Sequence, residues 1–129
     1  MRVLLADEQD FVRSALRLLL EQEAGISVVG EAKAANDLLA LARATRPDLV
    51  LLSCELPGLV LNGQHGRQPT LLPELRALEP RPAVVALSGR PEAERAALGA
   101  GADGFVSKGD PPERLLTTLR AVRTGASSL

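Results

Sequence analysis

The hydrophobic positions of the chain follow two alternating patterns. Short, continuous apolar runs are typical of strands buried on both faces of a sheet. They predict strands over residues 2–6, 27–32, 49–54, 83–87 and 105–107. Between these runs, apolar residues recur at helical spacing. This second pattern predicts helices over residues 11–23, 37–46, 91–98 and 111–123.

Local signals mark the ends of the predicted helices. Gly25 can end the first helix. Asn36 or Asp37 can cap the second, and Pro47 closes it. The alternation predicts an α/β fold, a five-stranded parallel sheet with helices on both faces. With right-handed crossovers the sheet is doubly wound, and the flavodoxin-like strand order 2-1-3-4-5 is expected.

Composition narrows the class of protein. The chain has 129 residues, 46% of them hydrophobic, which suits one small domain over residues 1–123. Residues 124–129 are expected to start a flexible linker. A net charge of −1 gives no basic field for direct binding to DNA. The single cysteine, Cys54, fits a reducing compartment, and no run suggests a signal peptide or a membrane span, so a cytoplasmic location is expected.

Polar residues follow several predicted strands at the edge where ligands bind in open α/β sheets. The carboxyl ends of the strands bring together two acids, two hydroxyls and one ammonium, namely Asp7, Glu8, Ser53, Ser88 and Lys108. Adjacent carboxylates can hold a hard divalent ion such as Mg²⁺. An ion and a lysine together can neutralise charge on a phosphoryl group. The crevice therefore suits phosphoryl chemistry, provided that an acceptor is present.

The segment over residues 47–58 resembles the third strand and following loop of the receiver domains of bacterial two-component response regulators. The resemblance extends over almost the whole chain. It implies that Asp7 and Glu8 are the acidic pair, Ser88 the switch hydroxyl, Phe105 the switch aromatic residue and Lys108 the site lysine. Residues 101–108 and 111–115 resemble the NarL-like subgroup, whose receivers precede a LuxR-type helix-turn-helix domain.

Three departures from the family pattern stand out. Ser53 occupies the position of the aspartate that accepts the phosphoryl group in this family. Asp48 cannot replace it, because it lies at the opposite end of the strand, about 16 Å away. The loop over residues 58–69 is longer than usual, and the stretch over residues 88–108 is shorter. A serine ester would need a base to activate the hydroxyl, and no histidine or acid is obviously placed to act as one.

Several of these side chains have a simpler structural interpretation. Lys108 is expected to pair with Asp7 and hold the site in one state, and metal binding by the acidic pair is left open. Glu55 either replaces part of the missing carboxylate or points into solvent, and solvent is favoured. Phe105 is expected to be a core residue, and Cys54 a buried, inert thiol. His65, in the long loop, lacks the partners of a metal site.

Three functions remain open from the sequence. The first is a non-enzymatic pseudo-receiver that signals without aspartate phosphorylation, through a homodimer or a protein partner, and reaches DNA only through a domain absent here. The second is a receiver that is phosphorylated at Ser53 or at another residue. The third is a flavodoxin-like protein that binds a small ligand such as a nucleotide or a flavin. The turn over residues 6–11 lacks a glycine-rich phosphate loop, which weakens the third.

Overall fold

The computed structural model describes residues 1–59 and 71–124. Within them, the chain forms a five-stranded, all-parallel sheet with the order β2-β1-β3-β4-β5. The strands are β1 (Arg2–Ala6), β2 (Ser27–Ala32), β3 (Leu49–Ser53), β4 (Ala83–Ser88) and β5 (Gly104–Ser107). The predicted doubly wound fold and its strand order are therefore confirmed.

The helices cover both faces of the sheet. They are α1 (Asp10–Glu21), α2 (Ala35–Thr45), α3 (Leu71–Arg76), α4 (Glu94–Gly99) and α5 (Pro112–Thr124). One hydrophobic cluster joins the sheet to α2, α3 and α4. A second cluster joins the opposite face to α1 and α5, where Leu115, Leu119 and Val122 are buried and Leu116 is partly buried. All five side chains of β3 are buried, which suits its central position.

Several predicted boundaries are wrong by one to three residues. The first helix ends at Glu21 rather than at residue 23, and Gly25 instead takes a positive φ of 84° in the following turn. β3 ends at Ser53, so Cys54 lies in the loop. The last helix extends to Thr124, one residue into the predicted linker, whose residues 125–129 lie outside the described part.

The single helix predicted over residues 91–98 is divided in the structure, where a 3-10 turn over Pro91–Ala93 leads into α4. The long loop after Pro57 is described only as far as Leu59, so its predicted course over residues 60–69 lies outside the described part, and His65 with it. No helix in residues 1–59 and 71–124 is long and apolar enough to cross a membrane.

The start of α2 differs from the prediction for a tertiary reason. The helix begins at Ala35 with Ala34 at the N-cap position, and no side chain of the described residues caps it. The backbone N–H of Ala35 instead donates a 2.9 Å hydrogen bond to the carbonyl of Pro57, in the loop after β3. Asn36 and Asp37 are therefore helical residues, because a distant backbone carbonyl satisfies one of the free donors at the helix start.

Candidate functional site

The crevice lies at the carboxyl ends of β1, β3, β4 and β5, where the sequence placed it. Asp7, Ser53 and Ser88 are buried, with relative exposures of 1%, 0% and 0%. Glu8, Glu55 and Lys108 are partly buried around them. Six polar side chains from four strand ends thus surround one small region, and most of their polar atoms are already paired with one another.

Asp7 and Lys108 form the ion pair at the base of the crevice. The Lys108 Nζ atom lies 2.9 Å from Asp7 Oδ2, and the relative exposures of the two side chains are 19% and 1%. This oxygen receives no hydrogen bond of good geometry from the described residues, so the ion pair is its contact. The other oxygen, Oδ1, accepts the Gln9 backbone N–H at 2.8 Å. The predicted pairing of Lys108 with Asp7 is confirmed.

Ser53 lies between two acidic residues. Its Oγ atom donates to Glu8 Oε1 at 3.1 Å and accepts the backbone N–H of Glu55 at 3.2 Å. From the sequence, no acid is obviously placed to activate this hydroxyl, but the structure brings Glu8 into hydrogen-bonding contact with it, because β1 and β3 are neighbouring strands. The hydroxyl is nevertheless fully buried, which limits access by any phosphoryl donor.

Glu55 points into the crevice, and the expectation that it faces solvent is wrong. Its Oε2 atom accepts a 2.8 Å hydrogen bond from Ser88 Oγ. Ser88 Oγ also accepts the backbone N–H of Arg90 at 3.0 Å. Ser88 therefore connects the loop after β3 to the loop after β4.

A common turn shapes the strand ends. A side-chain oxygen at or just after the strand accepts the backbone N–H two residues later, a geometry that aspartate and serine both support. The four pairs are Asp7 with Gln9, Ser53 with Glu55, Ser88 with Arg90 and Ser107 with Gly109. Small oxygen-bearing residues at these positions thus stabilise the loops, independently of any chemistry in the crevice.

A buried arginine contacts the backbone of Asp7 and connects it to β2. Arg13 of α1 is 6% exposed. Its Nη1 atom donates to the Asp7 backbone carbonyl at 2.7 Å, and its Nε atom donates to Glu31 Oε1 of β2 at 3.0 Å. Arg13 also pairs with Asp10, and the two contacts of Asp10 with Arg13 and Lys33 lower the pKa of Asp10. Sequence reasoning missed this network, because it depends on the packing of α1 against β2.

Cys54 and Phe105 have structural surroundings. Cys54 is half-buried rather than fully buried, and burial, with the nearby Glu55 carboxylate, raises the pKa of its thiol to about 11. This supports the expected inert thiol. Phe105 is partly buried and packs against the cluster shared by α2, α3 and α4. Asp48 lies at the opposite end of β3, where its carboxylate accepts the Arg2 N–H at 2.7 Å.

The family resemblance implies a divalent cation, and the arrangement of the acids can be compared with that need. Residues 1–59 and 71–124 contain no group of three or more His, Cys, Asp or Glu side chains that could hold a metal ion. Asp7 is paired with Lys108, Glu8 with Ser53, and Glu55 with Ser88. Ser53 contributes a neutral hydroxyl where a carboxylate would be the natural ligand. The described residues in this arrangement do not fit Mg²⁺.

An apolar groove lies beside the crevice, between α1 and α5. Its volume is about 340 Å³, and Leu16, Leu19 and Leu115 are among the residues that line it. Phe11, at the start of α1, lines one side and is 84% exposed. Lys108 also borders this groove, so the ion-paired crevice and the apolar surface are contiguous.

The sequence profile of the family described as "Response regulator receiver domain" matches residues 3–120. The chain therefore belongs to the response regulator receiver family. It is 34% identical over 125 residues to the nitrate/nitrite response regulator protein NarL of Escherichia coli strain K12, covering 95% of this chain and 55% of that protein. It is 30% identical over 123 residues to the response regulator UvrY of Escherichia coli O6:H1, covering 95% and 54%. The chain spans about half the length of these relatives.

Solved structures support the same class. A two-component response regulator of the LuxR family from Aurantimonas sp. SI85-9A1 has a TM-score of 0.81 at 28% identity, covering 96% of this chain and 85% of that one. A LuxR family DNA-binding response regulator from Silicibacter pomeroyi has a TM-score of 0.75 at 32% identity, covering 97% and 93%. The NarL-like resemblance seen in the sequence is confirmed, and the chain is a receiver domain of the LuxR/NarL type.

Proposed function

We propose that this receiver signals without phosphorylation of an aspartate, as a pseudo-receiver. The observation that carries the proposal is Ser53. At the end of β3, where the family resemblance places the acceptor carboxylate, a fully buried hydroxyl donates to Glu8. A neutral hydroxyl of high pKa is a poor nucleophile unless a base activates it. The module then acts by binding rather than as an enzyme, and we propose a cytoplasmic location for it.

Intact-mass spectrometry after incubation with acetyl phosphate and Mg²⁺ tests this proposal. We expect no mass gain for the natural chain. The Ser53→Asp variant is the matched control, because aspartate can support the same turn and restores a carboxylate acceptor; a phosphoryl-sized gain in this variant alone would locate the difference at position 53. A stoichiometric gain in the natural chain would overturn the proposal.

The contact between Ser53 and Glu8 favours one alternative function. A hydroxyl 3.1 Å from a carboxylate has the geometry of a nucleophile beside a base, so phosphorylation at Ser53 is a specific second candidate. Incubation of the chain with a cognate kinase and ATP distinguishes the two, with Ser53→Ala as control. Incorporation that is lost in Ser53→Ala would establish Ser53 as the acceptor, whereas equal incorporation in both would locate it elsewhere. The receiver family match gives no support to an unrelated flavodoxin-like ligand-binding protein.

We also propose that the chain forms a homodimer through the face between α1 and α5. A protruding aromatic ring, Phe11, lies beside an apolar groove on the same face. A two-fold axis can insert each ring into the groove of the other copy, since an isologous interface pairs one patch with itself. Leu18, 67% exposed on α1, adds to this apolar surface.

Sedimentation of Phe11→Ser and Leu98→Ser variants tests the choice of face. Leu98 is the matched control, because it is an exposed apolar residue of α4, at 43% exposure, on a different face. We expect the Phe11→Ser variant to be monomeric at concentrations where the natural chain and Leu98→Ser are dimeric. The reverse result would assign the dimer to the α4 face. Contact with DNA is proposed only through a further domain, as the greater length of the relatives suggests.

A further inference from the structure

Hydrogen bonds run without a break across three strand ends of the crevice. The Ser53 hydroxyl donates a hydrogen bond to Glu8 and accepts one from the Glu55 N–H, and the Glu55 carboxylate accepts a hydrogen bond from the Ser88 hydroxyl. Ser88 in turn accepts the N–H of Arg90. Side-chain and backbone hydrogen bonds therefore link the loops after β1, β3 and β4, and the Glu55 side chain connects the loop after β3 to the end of β4.

The Ser88 hydroxyl can donate one hydrogen bond, and it donates this bond to the Glu55 carboxylate. Ser88 is fully buried, so leaving its hydroxyl without a hydrogen-bond partner would cost free energy. The Glu55 carboxylate removes this cost by accepting the hydrogen bond. A hydrogen bond to a charged acceptor is also stronger than one to a neutral acceptor. The Ser88 hydroxyl is consequently held by an anion that belongs to the chain itself.

We propose that Glu55 is a built-in anionic latch, which occupies the space before Ser88 that an external anion would need and which fixes the loop after β4 in one position. The latch rests on the proposed phosphorylation-independent function and supplies its mechanism. An entering phosphate would have to displace Glu55 from Ser88. It would also approach the carboxylates of Glu8 and Glu55, and like charges repel at short range.

Two substitutions separate the charge of the latch from its hydrogen bond. Glu55→Ala removes both, whereas Glu55→Gln keeps an oxygen that can accept from Ser88 but removes the charge. Glu92→Ala is the matched control, because Glu92 is an exposed acid in the 3-10 turn just beyond the same loop. Glu55 is partly exposed in a loop, so these variants are expected to fold.

The first measurement is a titration with inorganic phosphate, in which the NMR amide signals of Arg90 and Lys108 are monitored. The second is the hydrogen exchange rate of the Arg90 amide. We expect no phosphate-dependent shifts in the natural chain or in Glu92→Ala, and saturable shifts in Glu55→Ala and Glu55→Gln. We expect Arg90 to exchange at least threefold faster in Glu55→Ala, and to keep its natural rate in Glu55→Gln.

Unchanged Arg90 exchange in Glu55→Ala, or equal phosphate shifts in the natural chain and Glu55→Ala, would overturn the latch. The absence of saturable shifts in both Glu55 variants would overturn it as well. Failure of the proposed function is a separate outcome, since it requires covalent mass gain by the natural chain with acetyl phosphate. The latch and the function are therefore refuted by different measurements.

Discussion

Removal of the Lys108 ammonium leaves the buried Asp7 carboxylate without its counter-ion. In the natural chain the two charges are 2.9 Å apart, and the Asp7 side chain is 1% exposed. A carboxylate in that position cannot recover its lost hydration from solvent. The variant Lys108→Met keeps much of the apolar stem and removes the charge, so it isolates the electrostatic contribution.

The expected cost follows from burial and from the contact that remains. Breaking a buried ion pair by removing one partner costs about 3–5 kcal/mol. Two features place this pair at the lower end. Asp7 Oδ1 keeps the Gln9 N–H, and Lys108 is already 19% exposed. We therefore expect Lys108→Met to lower the free energy of unfolding by about 3 kcal/mol, and Asp7→Asn combined with Lys108→Met to recover part of that loss.

Urea denaturation followed by circular dichroism measures this difference. The chain offers a matched control, because it contains one other lysine, Lys33. Lys33 lies 3.4 Å from Asp10, with the two side chains 66% and 74% exposed. An exposed pair contributes about 0–1 kcal/mol, so Lys33→Met should change stability little. A loss below about 1 kcal/mol for Lys108→Met would refute the reasoning, because Asp7 would then not depend on its counter-ion.

Three further results are expected. Arg13→Met should lower the free energy of unfolding by about 2 kcal/mol, because the Asp7 carbonyl and Glu31 lose a buried donor. The control Arg17→Met should lower it less, since Arg17 is more exposed. Equal losses of the two variants in urea denaturation would contradict this. Although burial acts to raise the pKa of Glu31, hydrogen bonds from Arg17 and Arg13 hold it below its usual value. The stabilisation by Glu31 should therefore be complete above the unfolded value of 4.5 and be lost as pH falls through the lower folded pKa. Denaturation across that range should show a pH dependence that Glu31→Gln reduces, and an unchanged dependence would contradict the assignment. With its pKa near 11 rather than 9.0, Cys54 should have about a hundredfold less thiolate at neutral pH than an ordinary thiol. Iodoacetamide should therefore alkylate Cys54 slowly until urea unfolds the chain. Fast alkylation of the folded chain would argue against burial of this thiol.

The sequence was sufficient for the fold because each strand carries its own signal. Continuous apolar runs identified all five strands, and the alternation with helices determined the parallel order. The helix α3 was not predicted. Its described part, Leu71–Arg76, is short and contains Pro73, and both features argue against a helix in a sequence pattern.

The members of the site were predictable, but their pairings were not. Position at a strand end was enough to select Ser53, Ser88 and Lys108. The direction of Glu55 depends on Ser88, a residue 33 positions away whose approach is fixed only by the pairing of β3 with β4. The contact of Ser53 with Glu8 has the same origin, across 45 positions. Such contacts are properties of the sheet, and no local pattern carries them.

The turn shared by the four strand ends has an evolutionary consequence. Serine and aspartate can both accept the backbone N–H two residues later, so the loop after β3 can keep its shape whichever of them occupies position 53. Exchange of aspartate for serine at position 53 can therefore remove the phosphoryl chemistry of a receiver while the fold and the shape of this loop are kept. A lineage can lose the phosphoryl acceptor in a single substitution and still retain the domain as a binding surface on which selection acts.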